Sequence, residues 1–302
     1  MKKVKDVHIL VVGDIMLDRY IIGNVSRISP EAPVPVVEVT GEYTVLGGCG
    51  NVAANIKSIG AEVTLLSSIG YDSDGKLLED KLKHLNIYNW LCFENEVTIS
   101  KERIVAGARQ IQMLRVDREK IKPIDTKHII DKVNSYPNDF DFIVVSDYSK
   151  GFITRELIDF LKTKNIKIIV DPKPAHRLYY QGVYMITPNE KEYLELSIHS
   201  DPLLQSVQYT LVTKGRKGME LYENGNSEPF VIPSEPVDVY NVSGAGDTVV
   251  ATMSVAMSCG YSPLEAAKIA NMCAGYAVTK VGTCVITESK YNEMVEKCKS
   301  VK

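Results

Sequence analysis

Cys-x-x-Cys pairs and histidines at metal-ligand spacing are both missing from the 302-residue chain, so neither a zinc site nor a redox dithiol is encoded. The six cysteines, at 49, 92, 259, 273, 284 and 298, are expected to be reduced and mostly buried. No apolar run approaches the roughly 20 residues of a membrane span. Met1-Lys2-Lys3 imitates the start of a signal peptide, but the apolar run from Ile9 to Val12 ends at Gly13-Asp14, too short for a signal core. A cytoplasmic protein without membrane contact is the expectation. Charge of one sign is lacking too: 35 Lys and Arg against 38 Asp and Glu give −3, no global field for nucleic acid or an anionic membrane. Any phosphate-bearing ligand must be held by local groups. Repeats, low-complexity tracts and linker-like stretches are absent, and 45% hydrophobic with 24% charged residues is ordinary globular usage.

What is present is alternation of Val- and Ile-rich runs with helical patterns. Strands are expected at His8–Val12, Glu62–Ile69, Phe142–Ser146, Lys167–Val170, Tyr184–Thr187 and Thr210–Thr213, each followed by a turn and a helix-length segment. That order reads as βαβ units around a buried parallel sheet, hence an α/β fold. Tyr20–Thr40 and Val97–Asp117 break the pattern by alternating polar and apolar residues, with Pro30, Pro33 and Pro35 punctuating the first. They are expected as antiparallel strands outside the main sheet, a flap or small second sheet. One domain over 1–302 carries this appended piece, near 15–40 and 97–117. Ser262-Pro263-Leu264-Glu265 is a capping box behind Gly260, Thr187-Pro188-Asn189-Glu190 repeats its logic, and Asn51 opens a helix that Gly60 closes.

The sharpest chemical signal is Asn241-Val242-Ser243-Gly244-Ala245-Gly246-Asp247, running into the apolar helix Thr248–Cys259. Small residues at 244–246 let backbone N–H groups converge on an anion at the positive end of a helix, which suits a phosphoryl group in transfer. Asp247 beside them can take a proton from an attacking hydroxyl. A glycine-rich loop entering a helix explains the same string without chemistry. Leu46-Gly47-Gly48-Cys49-Gly50-Asn51-Val52-Ala53 is a second glycine-rich helix entry. Gly48-x-Gly50-x-x-Ala53 matches the dinucleotide fingerprint formally, with Asp72 as its acid, but it follows the proline-rich flap rather than the first strand.

Asp14 ends the first strand, where open α/β sheets bind ligands, and Asp18 lies four residues on; either can accept from sugar hydroxyls or be a surface-turn acid. Asn189 and Glu192, three apart on one helix face, can hold Mg²⁺ through water, whereas the capping box accounts for Glu190. Val212-Thr213-Lys214-Gly215-Arg216-Lys217-Gly218 suits a nucleotide or a plain hairpin. Lys101, Arg103, Arg115, Lys150 and Lys173 recur at strand ends and on the flap; convergent, they would hold a substrate phosphate, and dispersed, they are surface charges.

Together these residues resemble the PfkB, or ribokinase-like, family of carbohydrate kinases. Gly47-Gly48-Cys49-Gly50-Asn51 is similar to its N-terminal signature and Ser243-Gly244-Ala245-Gly246-Asp247-Thr248 to its C-terminal one, and the likeness spans about residues 8 to 287. Within the family, the segments Gly13–Tyr20, Ser26–Pro35, Ser146-Asp147-Tyr148 and Asp171-Pro172-Lys173 look most like the D-glycero-β-D-manno-heptose 7-phosphate kinase domain of the ADP-heptose pathway. The resemblance implies a ribokinase-like three-layer core with a mostly parallel sheet, a small β-sheet lid, and homodimers through that lid. It implies ATP and Mg²⁺, with Asp247 as base and Gly244, Ala245 and Gly246 as anion hole. Asn189, Glu190, Lys191 and Glu192 match the Asn-x-x-Glu element that positions Mg²⁺, through water at Glu192, and the phosphates. Thr213, Gly215, Gly218, Asn271 and Gly275 fall at the nucleotide, and Asp14, Asp18, Gly48 and Asn51 at the sugar. Arg103, Lys150 and Lys173 are the candidates for the 7-phosphate.

Two departures matter. Asn241 stands where relatives usually carry an acid that helps bind a monovalent cation, which leaves potassium dependence open. The chain also stops near the kinase C-terminus, so the nucleotidyltransferase fused to this kinase in many bacteria is expected as a separate adenylyltransferase. The implied reaction moves the ATP γ-phosphoryl to O1 of heptose 7-phosphate, giving the 1,7-bisphosphate for ADP-heptose and lipopolysaccharide-core synthesis. The rivals are a family kinase for fructose 1-phosphate, a ketohexose or a nucleoside, an NAD-dependent oxidoreductase resting on Gly48–Ala53, and a sugar-binding protein without turnover.

Overall fold

Side chains alternate across β1 (His8–Gly13): Ile9 and Val11 pack into one buried cluster, Leu10 and Val12 into another. A strand apolar on both faces must lie between two helical layers. The computed structural model describes residues 1–107, 111–135, 139–198, 205–226, 228–235, 237–280 and 282–300. In it β1 lies inside a nine-stranded sheet, between β4 (Glu62–Gly70) and β8 (Phe142–Ser146), both parallel to it. β5 (Tyr88–Asn95) flanks β4, while β9 (Ile168–Asp171), β10 (Met185–Ile186), β11 (Tyr209–Thr213), β12 (Met219–Glu223) and β13 (Phe230–Ile232) extend the β8 side. The last two are antiparallel additions. All six expected core strands are present.

One layer contains α1 (Cys49–Ile59), α2 (Ser73–His84), α6 (Ala245–Ser258), α7 (Pro263–Ala277) and α8 (Glu288–Ser300); the other contains α3 (Thr126–Asn134), α4 (Arg155–Lys162) and α5 (Glu190–Ile198). Because β1 has β4 on one side and β8 on the other, the chain reverses its order there, and ligands of open α/β sheets bind outside the strand ends at such a point. The ends of β1, β8 and β9 deliver Asp14, Asp147 and Asp171 to it. The second sheet, ordered β3-β2-β6-β7, is built from β2 (Ile15–Ile28), β3 (Pro35–Gly48), β6 (Ser100–Ala106) and β7 (Ile111–Arg118) and forms the lid.

Four expectations need correction. The strand over Thr210–Thr213 is followed by a hairpin, not a helix: Gly215 (φ 55°) and Gly218 (φ 89°) reverse the chain into β12. β5 is an additional edge strand whose Asn89, Glu94 and Asn95 dilute its apolar signal. The lid is not wholly antiparallel, because β2 and β6 pair in parallel. The chain leaves the lid through the core between them and re-enters in the same direction. Lid residues 108–110 lie outside the described residues. Finally, the capping box at the start of α5 is Asn189 with Glu192, not Thr187 with Glu190: Glu192 N donates to Asn189 Oδ1 at 2.9 Å and Asn189 N to Glu192 Oε2 at 3.0 Å. Thr187 Oγ1 instead donates to Val170 O. The Ser262–Glu265 box and the Gly60 stop of α1 are as expected. Among the described residues no helix is long and apolar enough to cross a membrane and no disulfide forms.

Candidate functional site

Gly244 (φ 80°) turns the chain into α6 with no side-chain cap, so the first-turn N–H groups of residues 245–247 have no partner inside the helix. Ala245 N makes a 3.3 Å bond to Val242 O; Gly246 and Asp247 complete the turn. Asp247 is 5% exposed, and both its carboxylate oxygens are engaged. Asn51 Nδ2 donates to Oδ2 at 2.7 Å and Tyr148 Oη to Oδ1 at 2.8 Å. Burial raises the Asp247 pKa above the ordinary carboxylate value, the bonds from Asn51 and Tyr148 pull it back, Asp18 adds to the rise and Lys101 opposes it. A carboxylate with an upward-shifted pKa beside a cluster of helix N–H groups is equipped to take a proton next to a bound anion.

Asn51 reaches Asp247 because Gly48 (φ 57°) starts α1 directly against Asp14, where a Cβ at position 48 would lie 2.2 Å from the Asp14 carbonyl. The Asp14 side chain, expected at the sugar, is spent on the backbone: it accepts from the N–H groups of Tyr148, Lys150 and Phe152 at 2.9, 3.1 and 3.1 Å. Burial raises its pKa and Asp147 adds to this, against the three backbone bonds. The loop behind β8 is thereby fixed with Tyr148 pointing at Asp247. Asp147, fully buried, braces it from the other side, accepting from Ser149 N and Tyr180 Oη and bonding His176 Nδ1 at 2.7 Å. That bond raises the His176 pKa despite burial.

The lid places its cations over this loop. Strand register puts Asp18 opposite Lys101, Tyr20 opposite Arg103, Arg103 opposite Arg115 and Lys101 opposite Asp117, so all six occupy one face. Arg103 binds Asp18 at 2.7 Å, Arg115 binds Asp117 and Lys150 binds Glu119 at 2.7 Å. Lys173 binds Glu192. Lys101 alone of these cations has no carboxylate partner among the described residues; its ammonium lies 5.3 Å from the centre of the Tyr148 ring, and Lys173 lies 5.6 Å from the same ring. Burial lowers the Lys101 pKa, Asp18 opposes this, and Arg115 and Lys150 reinforce it.

Toward the expected nucleotide side, Asn271 Nδ2 donates to Pro233 O at 2.8 Å, Gly218 packs against Ile232–Ser234, and Thr213 bridges Asn189. Gly275, one helical turn beyond Asn271, and Gly215 face open space. Glu190 pairs with Lys217 at 3.3 Å, while Lys191 is exposed and lies near Glu195, so the structure does not bring Lys191 to the others. For a divalent cation, Glu192 has one oxygen on Lys173 and one on Asn189 N, with lone pairs to spare. Asp171 fits better: its carboxylate has no hydrogen-bond partner among the described residues, and a Cβ on Gly246 would lie 4.0 Å from its Oδ2. Burial lifts the Asp171 pKa well above its ordinary value, Lys173 opposes this, and Asp247, Glu192 and Asp147 reinforce it, a setting that a cation would relieve. Among the described residues no group of three or more His, Cys, Asp or Glu could hold a metal ion.

Tyr148 and Asp171 are the side chains at the candidate site that sequence reasoning did not single out as ligands, although each lies in a quoted motif; Lys101 was among the basic residues read as holding a substrate phosphate but not among the three chosen for the 7-phosphate. Asp72, the acid the dinucleotide reading needed, caps α2 instead, accepting from Gly75 N and Thr98 N at 2.8 Å each.

A model of the pfkB family carbohydrate kinases matches residues 7–290. The chain is 38% identical over 308 residues to the bifunctional protein HldE of Sulfurimonas denitrificans and 36% identical over 306 to that of Geobacter sulfurreducens. These alignments take in 95% and 94% of the chain but only 64% and 62% of the relatives, so the chain spans somewhat under two thirds of their length. Among solved structures, the tetrameric inhibited form of phosphofructokinase-2 from Escherichia coli superposes with a TM-score of 0.79 at 18% identity, covering 97% of this chain and 99% of that one. Ribokinase from Thermotoga maritima gives 0.75 at 21%, covering 96% and 99%. Family model, relatives and fold agree: the chain belongs to the pfkB family of carbohydrate kinases, phosphotransferases that act on sugar hydroxyls.

Proposed function

We propose that this kinase acts on a sugar that already carries a phosphate, heptose 7-phosphate, and phosphorylates its O1 to give the 1,7-bisphosphate. The observation that carries the reading is Lys101: an ammonium without a carboxylate partner, on the lid face that also holds Arg103 and Arg115, over the tyrosine that touches Asp247. Of the five cations Lys101, Arg103, Arg115, Lys150 and Lys173, four are ion-paired with Asp18, Asp117, Glu119 and Glu192, and the Lys101 ammonium is the one left to meet an anionic substrate group. The 36–38% identity to HldE proteins supports a heptose phosphate.

In this mechanism Asp247 takes the proton of the acceptor hydroxyl as its oxygen attacks the γ-phosphorus of ATP, and ADP leaves. Asn51 fixes the carboxylate, and the first-turn N–H groups of α6 receive charge on the phosphoryl oxygens. Asp171 and Glu192 would hold Mg²⁺ beside the phosphates, and the ion, when bound, neutralises phosphate charge. Lid side chains exclude water from the closed site. The lid also exposes Val25, Ile28, Val39, Ile111 and Leu114, which supports a homodimer formed through it, checked by the mass in solution. The reaction is tested by ³¹P NMR of the product from Mg-ATP and heptose 7-phosphate. A second phosphomonoester coupled to the anomeric proton is expected, and phosphorylation elsewhere on the sugar would refute the assignment.

A further inference from the structure

The two donors that occupy Asp247 differ in kind. Asn51 is locked in α1: Asn55 Nδ2 donates to its backbone carbonyl at 3.0 Å and lies 3.3 Å from its Oδ1. Tyr148 belongs instead to a loop between β8 and α4 whose backbone is held to Asp14 through the N–H groups of Tyr148, Lys150 and Phe152, while its side chain reaches Asp247 only through the phenol hydroxyl. An acceptor hydroxyl about to lose its proton must donate to the base from about 2.6–3.2 Å. The Tyr148 hydroxyl already does so at 2.8 Å. Burial and the adjacent Asp247 keep this phenol protonated, so it can donate but does not compete for the proton.

We infer, on the reading of Asp247 as the base, that Tyr148 is a positioning residue that stands in for the acceptor hydroxyl until a phosphorylated sugar displaces it, and thereby withholds the base from water. The ring makes the displacement selective, because Lys101 and Lys173 lie over it. A substrate phosphate that draws these ammonium groups away loosens the tyrosine as its own hydroxyl arrives. The reaction held in check is hydrolysis. A water oxygen bonds to the γ-phosphorus of ATP, its proton passes to Asp247 and then to solvent, the bond to the β,γ-bridging oxygen breaks, and ADP and inorganic phosphate leave.

The test compares ADP release from Mg-ATP with and without saturating heptose 7-phosphate in the wild type, Tyr148→Phe and Asp247→Asn. The expected result is a rise of about tenfold in the ratio of acceptor-free to acceptor-dependent turnover for Tyr148→Phe, the scale of one hydrogen bond to a charged group. A merely structural tyrosine would slow both reactions together, and an unchanged or lowered ratio overturns the inference. Asp247→Asn lowers both rates by about 10²–10⁴ if Asp247 is the base; if it keeps near-wild-type sugar-dependent turnover, the base assignment falls and the inference with it. Should Tyr148→Phe fail to fold, 3-fluorotyrosine placed at 148 supplies the second reading. Its ¹⁹F resonance moves on addition of heptose 7-phosphate without ATP, and a stationary resonance in a protein that binds the sugar overturns the inference.

Discussion

Replacing Gly244 by alanine strikes the fold and the chemistry at one point. With φ at 80°, an L-residue there costs about 1–2 kcal/mol in backbone conformation alone. The added Cβ would also lie 2.8 Å from Asn51 Nδ2 and 2.9 Å from Thr283 Cγ2. Relieving two such contacts in a packed site adds about 1–3 kcal/mol. The sum, about 2–5 kcal/mol, lowers the melting temperature by roughly 4–20 °C at about 2–4 °C per kcal/mol. Because Asn51 is the donor that fixes Asp247, its displacement misplaces the base, and an error near 1 Å costs about 10² in kcat. Thermal unfolding and steady-state ADP release read the two effects. Gly246→Ala is the internal control: its φ is not positive and the nearest atom to the new Cβ is 4.0 Å away, so the melting temperature stays within about a degree or two of the wild type. A Gly244→Ala enzyme with wild-type melting temperature and kcat would refute the reasoning.

Lys101→Met raises KM for the phosphorylated sugar about 10- to 100-fold while changing kcat far less; initial-rate kinetics decide it. Because burial raises the Asp247 pKa, the acidic limb of the pH–kcat profile lies above the ordinary carboxylate value and turnover falls as pH drops through it. Asn51→Ala removes a bond that holds this pKa down, so the limb moves to higher pH, and an unmoved limb contradicts the pairing. Asp72→Ala costs about 1–2 kcal/mol in urea unfolding, with kcat unchanged. Although burial raises the Asp72 pKa, the bonds from Thr98 and Gly75 lower it overall. Its contribution is therefore present above the unfolded-state value and is lost as pH falls through the folded one.

The core strands were legible because they are apolar on both faces, as Ile9 through Val12 are, and short-range pattern suffices to find them. The N-termini of α1 and α6 were legible because glycine at 48 and 244 meets a left-handed backbone there. β5 was not, since its polar residues are tolerated only at an edge that the string does not mark. The Asn189–Glu192 box was masked by an equally spaced Thr187–Glu190 pair, and only the sheet end at Ile186 decides between them. The site showed the same limit. Asp247 and Asn51 belong to local motifs, but their 2.7 Å contact joins residues 196 apart in sequence. Lys101 has Asp18 and Asp117 opposite it in the register yet, unlike Arg103, Lys150 and Lys173, makes no ion pair, a property of three-dimensional pairing that composition cannot contain.

The central claim is that Asp247 serves as base for phosphoryl transfer to a phosphorylated heptose. It is tested most directly by ADP release from Mg-ATP over heptose 7-phosphate, fructose 1-phosphate, fructose 6-phosphate, ribose and adenosine, with Asp247→Asn alongside. Turnover with heptose 7-phosphate far above that with the other acceptors is expected, with a loss of about 10²–10⁴ in the variant. Preference for another acceptor, or near-wild-type turnover in a folded Asp247→Asn protein, would contradict it.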